Sequence, residues 1–323
     1  MSQRELPLKF DQIRTFGKVF SDTRKLIREN FAVFFKTILF IVGPIILLTC
    51  TVHTFYDTNI IGDDEFDWEK AGSYVASKTI YAQLRWLING LFTAMVVSHF
   101  VKVYKEKGPG KFEVNDVTKS LFNDFGGSIL TLVLVFVMTS LVGVLVAAIL
   151  FGVAELSIGA GVFLIIVTYL GYVLVRFPFW YFMYSIFFAR HSTGKLLSAI
   201  AGLQFSAQVL KGQWWFTWIV FFCMWALLAV LGSVISLPAE ILAMIAQLST
   251  FDPTTNTDVD WKLVQSILTS LGEFAKTLIN SVFCAAIALH FYSLKEKKDG
   301  KGTMEMLDQI GKNKDDDHIE LTY

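Results

Sequence analysis

The stretch Leu197–Val220, LSAIAGLQFSAQVLKGQWWFTWIV, decides how the whole chain is read. Its first half carries apolar residues at roughly helical spacing, its middle is Lys211-Gly212-Gln213-Trp214-Trp215, and its end is almost wholly apolar. A helix with one apolar face and flanking bases lies in the plane of lipid headgroups. A glycine lets the backbone leave helical geometry cheaply, and tryptophans anchor at the membrane–water boundary. The stretch therefore predicts an interfacial helix, an elbow at Gly212, and a transmembrane helix starting near Trp214.

The rest of the chain supports that reading. Of 323 residues, 54% are hydrophobic and only 17% are charged, whereas a soluble domain carries about a quarter charged residues. The apolar residues gather in blocks of roughly 20, the length that crosses a bilayer core. Six spans are predicted at about 34–56, 80–103, 128–153, 160–189, 214–237 and 274–294. Lys276 and Asn280 interrupt the sixth. The fourth is longer than a bilayer needs, so it must tilt, kink or run on beyond the membrane.

Lys plus Arg and Asp plus Glu are equal at 28 each, a balance that points to no nucleic-acid partner. The charges are nevertheless segregated. Bases crowd the segment before span one (Arg14, Lys18, Arg24, Lys25, Arg28), the loop after span two (Lys102, Lys105, Lys107, Lys111), the loop after span four (Arg190, Lys195, Lys211) and the tail (Lys295, Lys297, Lys298). The alternate loops are acidic, with Asp57, Asp63, Asp64, Glu65, Asp67 and Glu69 in one and Asp252, Asp258 and Asp260 in another. Basic loops stay inside. The chain is thus expected in the bacterial inner (cytoplasmic) membrane with both termini cytoplasmic. The first 30 residues are mostly polar, so no cleavable signal peptide is expected. Cys50, Cys223 and Cys284 all fall inside apolar blocks, which suits small buried hydrophobes rather than a disulfide or metal site.

The elbow has a common spelling before each odd-numbered span. It reads Ile27-Arg-Glu-Asn-Phe31, Leu121-Phe-Asn-Asp-Phe125 and Leu210-Lys-Gly-Gln-Trp214, each after an amphipathic segment, at 12–30, 113–127 and 196–210. The fold expected is an all-α, polytopic membrane bundle. It has six transmembrane helices, about three cytoplasmic-side interfacial helices and a threefold repeat of units at about 11–105, 113–190 and 193–298. The alternative is that any cytoplasmic loop entering a span carries such residues. Residues 1–298 form one membrane domain, and 299–323 a charged cytoplasmic tail.

Ser206, Leu210, Lys211, Gly212, Trp214 and Trp215 resemble a motif in the membrane domain attached to some bacterial glycerophosphodiester phosphodiesterases, shared with free-standing, largely uncharacterised bacterial membrane proteins. The motif covers about 25 residues. The resemblance implies a fold neighbourhood. The soluble catalytic barrel of the fused relatives has no counterpart in the short segment after span six, so their reaction is not carried over.

Ionisable residues at membrane depth are functional candidates. Arg176, two residues before Pro178 in an aromatic run, has two readings: a docking charge for an anionic lipid headgroup, or a span end whose guanidinium reaches the inner interface. Lys211, Trp214 and Trp215 are candidate lipid or anion contacts, and Gly212, Pro44 and Pro178 candidate hinges. Arg85 is placed at the outer interface. Glu273 and Lys276 are expected to pair on a helix surface. Glu240, after Pro238, is expected to begin a separate outer-leaflet helix. Asn89, His99, Asn280 and His290 are expected to bond between helices, since no HxxxH or HExxH spacing gathers them into a metal site. The GDDEFDWE segment (62–69) reads as a solvated loop. Without GxSxG, a Walker loop or a dinucleotide fingerprint, no catalytic residue and no cofactor are expected.

The leading expectation is a non-enzymatic accessory or scaffold subunit of an envelope complex, partnered by the lipid bilayer and other membrane subunits. Small residues such as Ser140, Gly143 and Ala147 would allow close helix packing. The alternative is a lipid or amphiphile transporter or lipid-binding protein. Topology is testable directly: reporter fusions at 108–112 should read cytoplasmic and fusions at 252–258 should read external. The reverse pattern would overturn the charge argument.

Overall fold

The computed structural model describes residues 8–49, 89–154, 179–191, 199–250, 261–300 and 304. Side chains within these are described except at 143–154, 199, 239–240, 242–243, 245–250, 261–266 and 269. Among the described residues there are helices and turns and no strand. In chain order they are α1 (Phe16–Glu29), α2 (Phe31–Ile41, resuming after a turn at Val42 to end at Thr49), α3 (89–107), α4 (Val114–Asn123), α5 (Phe125–Ala154), α6 (179–191), α7 (Ala199–Leu210), α8 (Trp214–Thr250) and α9 (Trp261–Asp299). Four are long and apolar enough to cross a membrane: Phe31–Thr49, Phe125–Val142, Trp214–Pro238 and Ser270–Asp299. The chain is therefore read as a multi-pass membrane protein. The predicted spans two and four are described only in part, as α3 and α6.

Each short helix forms for a local reason. In α1, Val19, Asp22, Thr23, Leu26 and Ile27 are buried, the i, i+3, i+4, i+7, i+8 stripe of an amphipathic helix. In α4, Asp116 accepts from the Glu113 N–H at 3.0 Å, closing the exposed amine end of the first turn. Lys107 reaches the same carboxylate at 2.7 Å and, with the Glu113 N–H, lowers its pKa.

Burial divides the long helices into two classes. Residues 93–101 of α3, 183–190 of α6 and 283–294 of α9 are buried continuously, so these three segments lie at the centre. α2, α5 and α8 lie outside them and expose apolar side chains, including Phe40, Leu48, Leu130, Val133, Leu141, Leu227 and Val230. On α5 the inward face is Ser128, Thr131, Val135 and Thr139, residues three and four apart. Aromatic rings join the layers: Phe34 meets Phe100 at 5.0 Å, Phe221 meets Phe283 at 4.8 Å, and Phe205 meets Phe291 at 6.3 Å. Such pairs add about 0.5–1.5 kcal/mol each beyond the area they bury. α9 packs along α8 and also meets α1, α2 and α7.

Two sequence expectations change. Pro238 does not separate span five from a second helix at Glu240, because α8 runs unbroken through it to Thr250. Proline removes one backbone donor and crowds one carbonyl, and serine side chains adjust the same stretch. Ser233 donates to the Ala229 carbonyl at 2.8 Å and Ser236 to that of Ser233 at 3.2 Å. The interfacial segment 113–127 is also shorter than predicted. It stops at Asn123, and Phe125 already belongs to α5. Of the proposed small-residue face, Ser140 is exposed, while the burial of Gly143 and Ala147 lies outside the described set.

The chain before α1 is fastened to the bundle. Phe10 packs edge-on against Tyr104 at 5.6 Å and Tyr292 at 5.3 Å, and Lys105 Nζ sits 4.2 Å from the centre of the Tyr292 ring. Burial lowers the Lys105 pKa, against the opposing pull of Asp11. The Arg14 N–H donates to Ser293 Oγ at 2.7 Å. Its fully buried guanidinium donates to Asp22 Oδ2 at 2.9 Å and to the carbonyls of Lys9, Phe10 and Gln12. Burial lowers the Arg14 pKa, and the Asp22 hydrogen bond and charge oppose that. Asp22 also holds Lys18 Nζ at 2.9 Å and Gln12 Nε2 at 3.0 Å, so removing Arg14 leaves it paired and chiefly orphans the three backbone carbonyls. Arg14→Ala should therefore cost about 1–3 kcal/mol, the range for an unsatisfied buried group, in thermal unfolding of the detergent-solubilised protein. The exposed Arg24→Ala control should stay within about 0.5 kcal/mol. Equal effects would show that the strap carries no such bond.

Candidate functional site

The three elbows share one backbone hydrogen-bond pattern. At the first two corners a single polar residue, Asn30 or Asp124, ends one helix and starts the next, and at the third Lys211 and Gly212 intervene before Gln213, which precedes α8. The N–H groups of Asn30, Asp124 and Gln213 donate to the carbonyls of Ile27, Leu121 and Leu210, at 3.1, 3.3 and 3.0 Å. Their own carbonyls accept from the N–H groups of Phe34, Ser128 and Thr217, at 2.8, 2.9 and 3.0 Å. The apolar residue opening the elbow spelling is thus the carbonyl acceptor in all three, and the aromatic that closes it starts the next helix. Backbone groups at a helix break must be satisfied this way or by water.

Each corner side chain is also held from a central helix or the turn after it. Asn30 Oδ1 accepts from the Gly110 N–H at 3.0 Å, after α3. Asp124 accepts from Arg190 of α6. Gln213 Oε1 accepts from Lys297, at the end of α9, at 3.1 Å. The third corner needs its glycine: Gly212 has φ +80°, a left-handed conformation that side-chain-bearing residues avoid.

The richest chemistry lies at the second corner. His99 of α3 places Nδ1 3.1 Å from Ser120 Oγ and Nε2 3.0 Å from Ser128 Oγ. Arg190 donates to Ser128 Oγ at 3.2 Å and to the Asp124 carboxylate. The His191 ring meets that of His99 edge-on at 4.5 Å. Burial, then the charges of His99, Lys102 and Arg190, lower the His191 pKa well below that of an ordinary histidine, so at neutral pH it is uncharged. Burial also lowers the Arg190 pKa, and the charge of Asp124 opposes it. The guanidinium lies flush against Gly127, where an added Cβ would overlap it. The third corner has a simpler counterpart, His290 Nε2 lying 3.3 Å from Thr217 Oγ1. Ser128 and Thr217 are both the fourth residue of the helix after the elbow.

A second feature is a cavity of about 620 Å3 between α3, α8 and α9. Asn89, Trp225, Ser236, Glu273, Lys276 and Asn280 are among the side chains lining it. Glu273 and Lys276 pair at 3.4 Å, as their spacing predicts.

The residues singled out from sequence are scattered. Lys211 is exposed, and Trp214 and Trp215 are 41% and 67% exposed on the surface where α8 begins. Pro44 is exposed just after the turn at Val42, where its ring and missing donor interrupt the helix. Arg176, Pro178, Arg85, Cys50, the 62–69 segment and nearly all of the tail lie outside the described residues. His99 and His290 do bond between helices, as expected. Asp124, Ser128, Arg190 and His191 were not recognised as a group, since 67 positions separate the first from the last. One signal was available: His99-Phe100 leading to Lys105-Glu106-Lys107 recurs, one residue shorter, as His290-Phe291 leading to Lys295-Glu296-Lys297.

No protein-family model, curated protein or solved structure matches this chain. What the site can do is therefore read from its own geometry. Gly127→Ala should drive the Arg190 guanidinium off Asp124 and cost about 1–3 kcal/mol, the range for an unsatisfied buried group. In an Arg190→Ala background the same change should cost little. Additive effects of the two substitutions in thermal unfolding would show that Gly127 does not act through Arg190.

Proposed function

We propose that this chain is a non-enzymatic protein of the bacterial inner membrane, an accessory or scaffold subunit of an envelope complex. It crosses six times with both termini cytoplasmic, in three units of interfacial helix, elbow and transmembrane hairpin. The observation that carries the reading is the common hydrogen-bonding of the three corners. Polar side chains at that end of the bundle are spent joining helices, which favours a rigid platform over a reaction centre. The elbow motif around Lys211, Gly212, Trp214 and Trp215 supports the same fold neighbourhood as the membrane domain of glycerophosphodiester phosphodiesterases. On this reading Lys211, Trp214 and Trp215 meet anionic headgroups at the inner surface, and the apolar outer faces of α5 and α8 meet lipid or neighbouring subunits.

A second reading, a lipid or amphiphile carrier, is favoured by the cavity lined by Asn89, Glu273, Lys276 and Asn280. Its size falls in the roughly 300–1,000 Å3 range of small-molecule sites, and intramembrane ionisable residues mark such pathways.

The two readings separate on one preparation. The tagged protein, extracted in mild detergent from its native cells, should bring down a membrane partner in stoichiometric amount. That partner should be lost on deleting 299–323 or on Trp214→Ala/Trp215→Ala, and kept in Arg176→Ala. A solitary protein with bound lipid that is lost in Glu273→Gln/Lys276→Gln would replace the scaffold reading by the carrier.

A further inference from the structure

The second corner gathers more ligating chemistry than a helix joint requires. His99, Asp124 and His191 come from three segments, α3, the corner and α6, and their candidate ligand atoms all lie within 4.8 Å of one another. We infer that these three side chains form a binding site for a divalent transition-metal ion of the borderline class, such as zinc or cobalt.

Two imidazoles and one carboxylate are donors that such ions accept. Around a tetrahedral ion with bonds near 2.0–2.2 Å, donors stand about 3.4 Å apart. The three donor atoms, all within 4.8 Å of one another, must therefore draw together by up to about 1.4 Å to close on an ion. A histidine ligand is usually oriented by a hydrogen bond at its other ring nitrogen, and Ser120 Oγ provides this for His99 at Nδ1. Nε2 then faces the cluster. Ser128 Oγ, now 3.0 Å from Nε2, can turn to the ion as a fourth ligand or stay on Arg190.

The site has a built-in competitor. Arg190 occupies the Asp124 carboxylate, and Lys102 is the second cation acting on this cluster. An ion must displace the guanidinium from Asp124, as two cations cannot share that carboxylate without repulsion. Binding is therefore weak while Arg190 stays and strengthens when Arg190 is neutralised. A bonded joint with no affinity for metal would behave differently, since losing Arg190 would only loosen it. Once bound, the ion would tie α3 and α6 to the second corner. The inference is independent of the scaffold reading, because it is read on the purified chain alone.

The test uses the full-length protein in detergent, purified without a polyhistidine tag, stripped with chelator and titrated separately with Co2+ and Zn2+. One ion per chain is expected, with visible ligand-field bands for Co2+ and a raised Tm. His191→Gln and Asp124→Asn, which remove direct ligands, should each weaken binding by more than the roughly 10–100-fold that losing an outer-shell partner costs, and Arg190→Gln should tighten it. His191→Gln keeps the test valid if His99→Gln fails to fold, because His191 meets His99 through a ring contact whereas His99 is bonded to both Ser120 and Ser128. The inference is overturned if no ion is retained by the wild type or Arg190→Gln, or if His191→Gln and Asp124→Asn bind as well as the wild type.

Discussion

A polar side chain on a helix that is surrounded by other helices has no water to turn to, so its partners must come from the protein. Leaving one unsatisfied costs about 1–3 kcal/mol, more when it is charged. α3, α6 and the second half of α9 are in this position, and each carries polar groups: His99, Arg190 and His290. The elbows supply most of their partners, and His290 Nδ1 alone of these groups has none among the described residues. A hydroxyl on the fourth residue of the following helix accepts or donates to a histidine, and a corner side chain takes a donor from a central helix. The corners in turn complete the backbone bonds that a break between two helices leaves open. The central and outer layers are thus held in register by the same few bonds.

This constraint explains why burial and apolarity run in opposite directions here. Ser270–Asp299 is the least apolar of the four candidate spans and by far the most buried, while the more apolar Phe125–Val142 and Trp214–Pro238 lie outside. Lipid tails favour apolar side chains without regard to packing, so the outer helices can be apolar all round. Inner helices need small and polar residues to pack closely and bond to each other, and α9 carries Ser281, Cys284, Ala285, Ala286 and His290 there. Lys276 and Asn280, which interrupt span six in the sequence, lie just before that buried stretch and are half-buried at the cavity.

Much of the architecture was legible. The elbow spelling placed the breaks at Asn30, Asp124 and Gly212-Gln213 because helix termination is a local matter, set by corner chemistry and the following aromatic. The helix runs through Pro238 because a proline costs a single backbone bond, which a long apolar helix can absorb. The site was least legible. Nothing local marks His191 or Asp124, since their meaning lies in a contact between helices that are distant in sequence. The recurrence of His-Phe before Lys-Glu-Lys hinted at equivalent helix ends without saying what each end would touch.

Composition, apolar run length and the segregation of charge determine from sequence alone that this is a helical, multi-pass chain with elbows at defined places. Those properties are sums over neighbouring residues and need no partner. Which helices lie inside, which face of α5 carries Ser128 inward, and that His99, Asp124, Arg190 and His191 meet were decided only by the tertiary structure. An apolar helix looks the same from every side until its neighbours are in place, and a polar cluster exists only once three distant segments have been brought together.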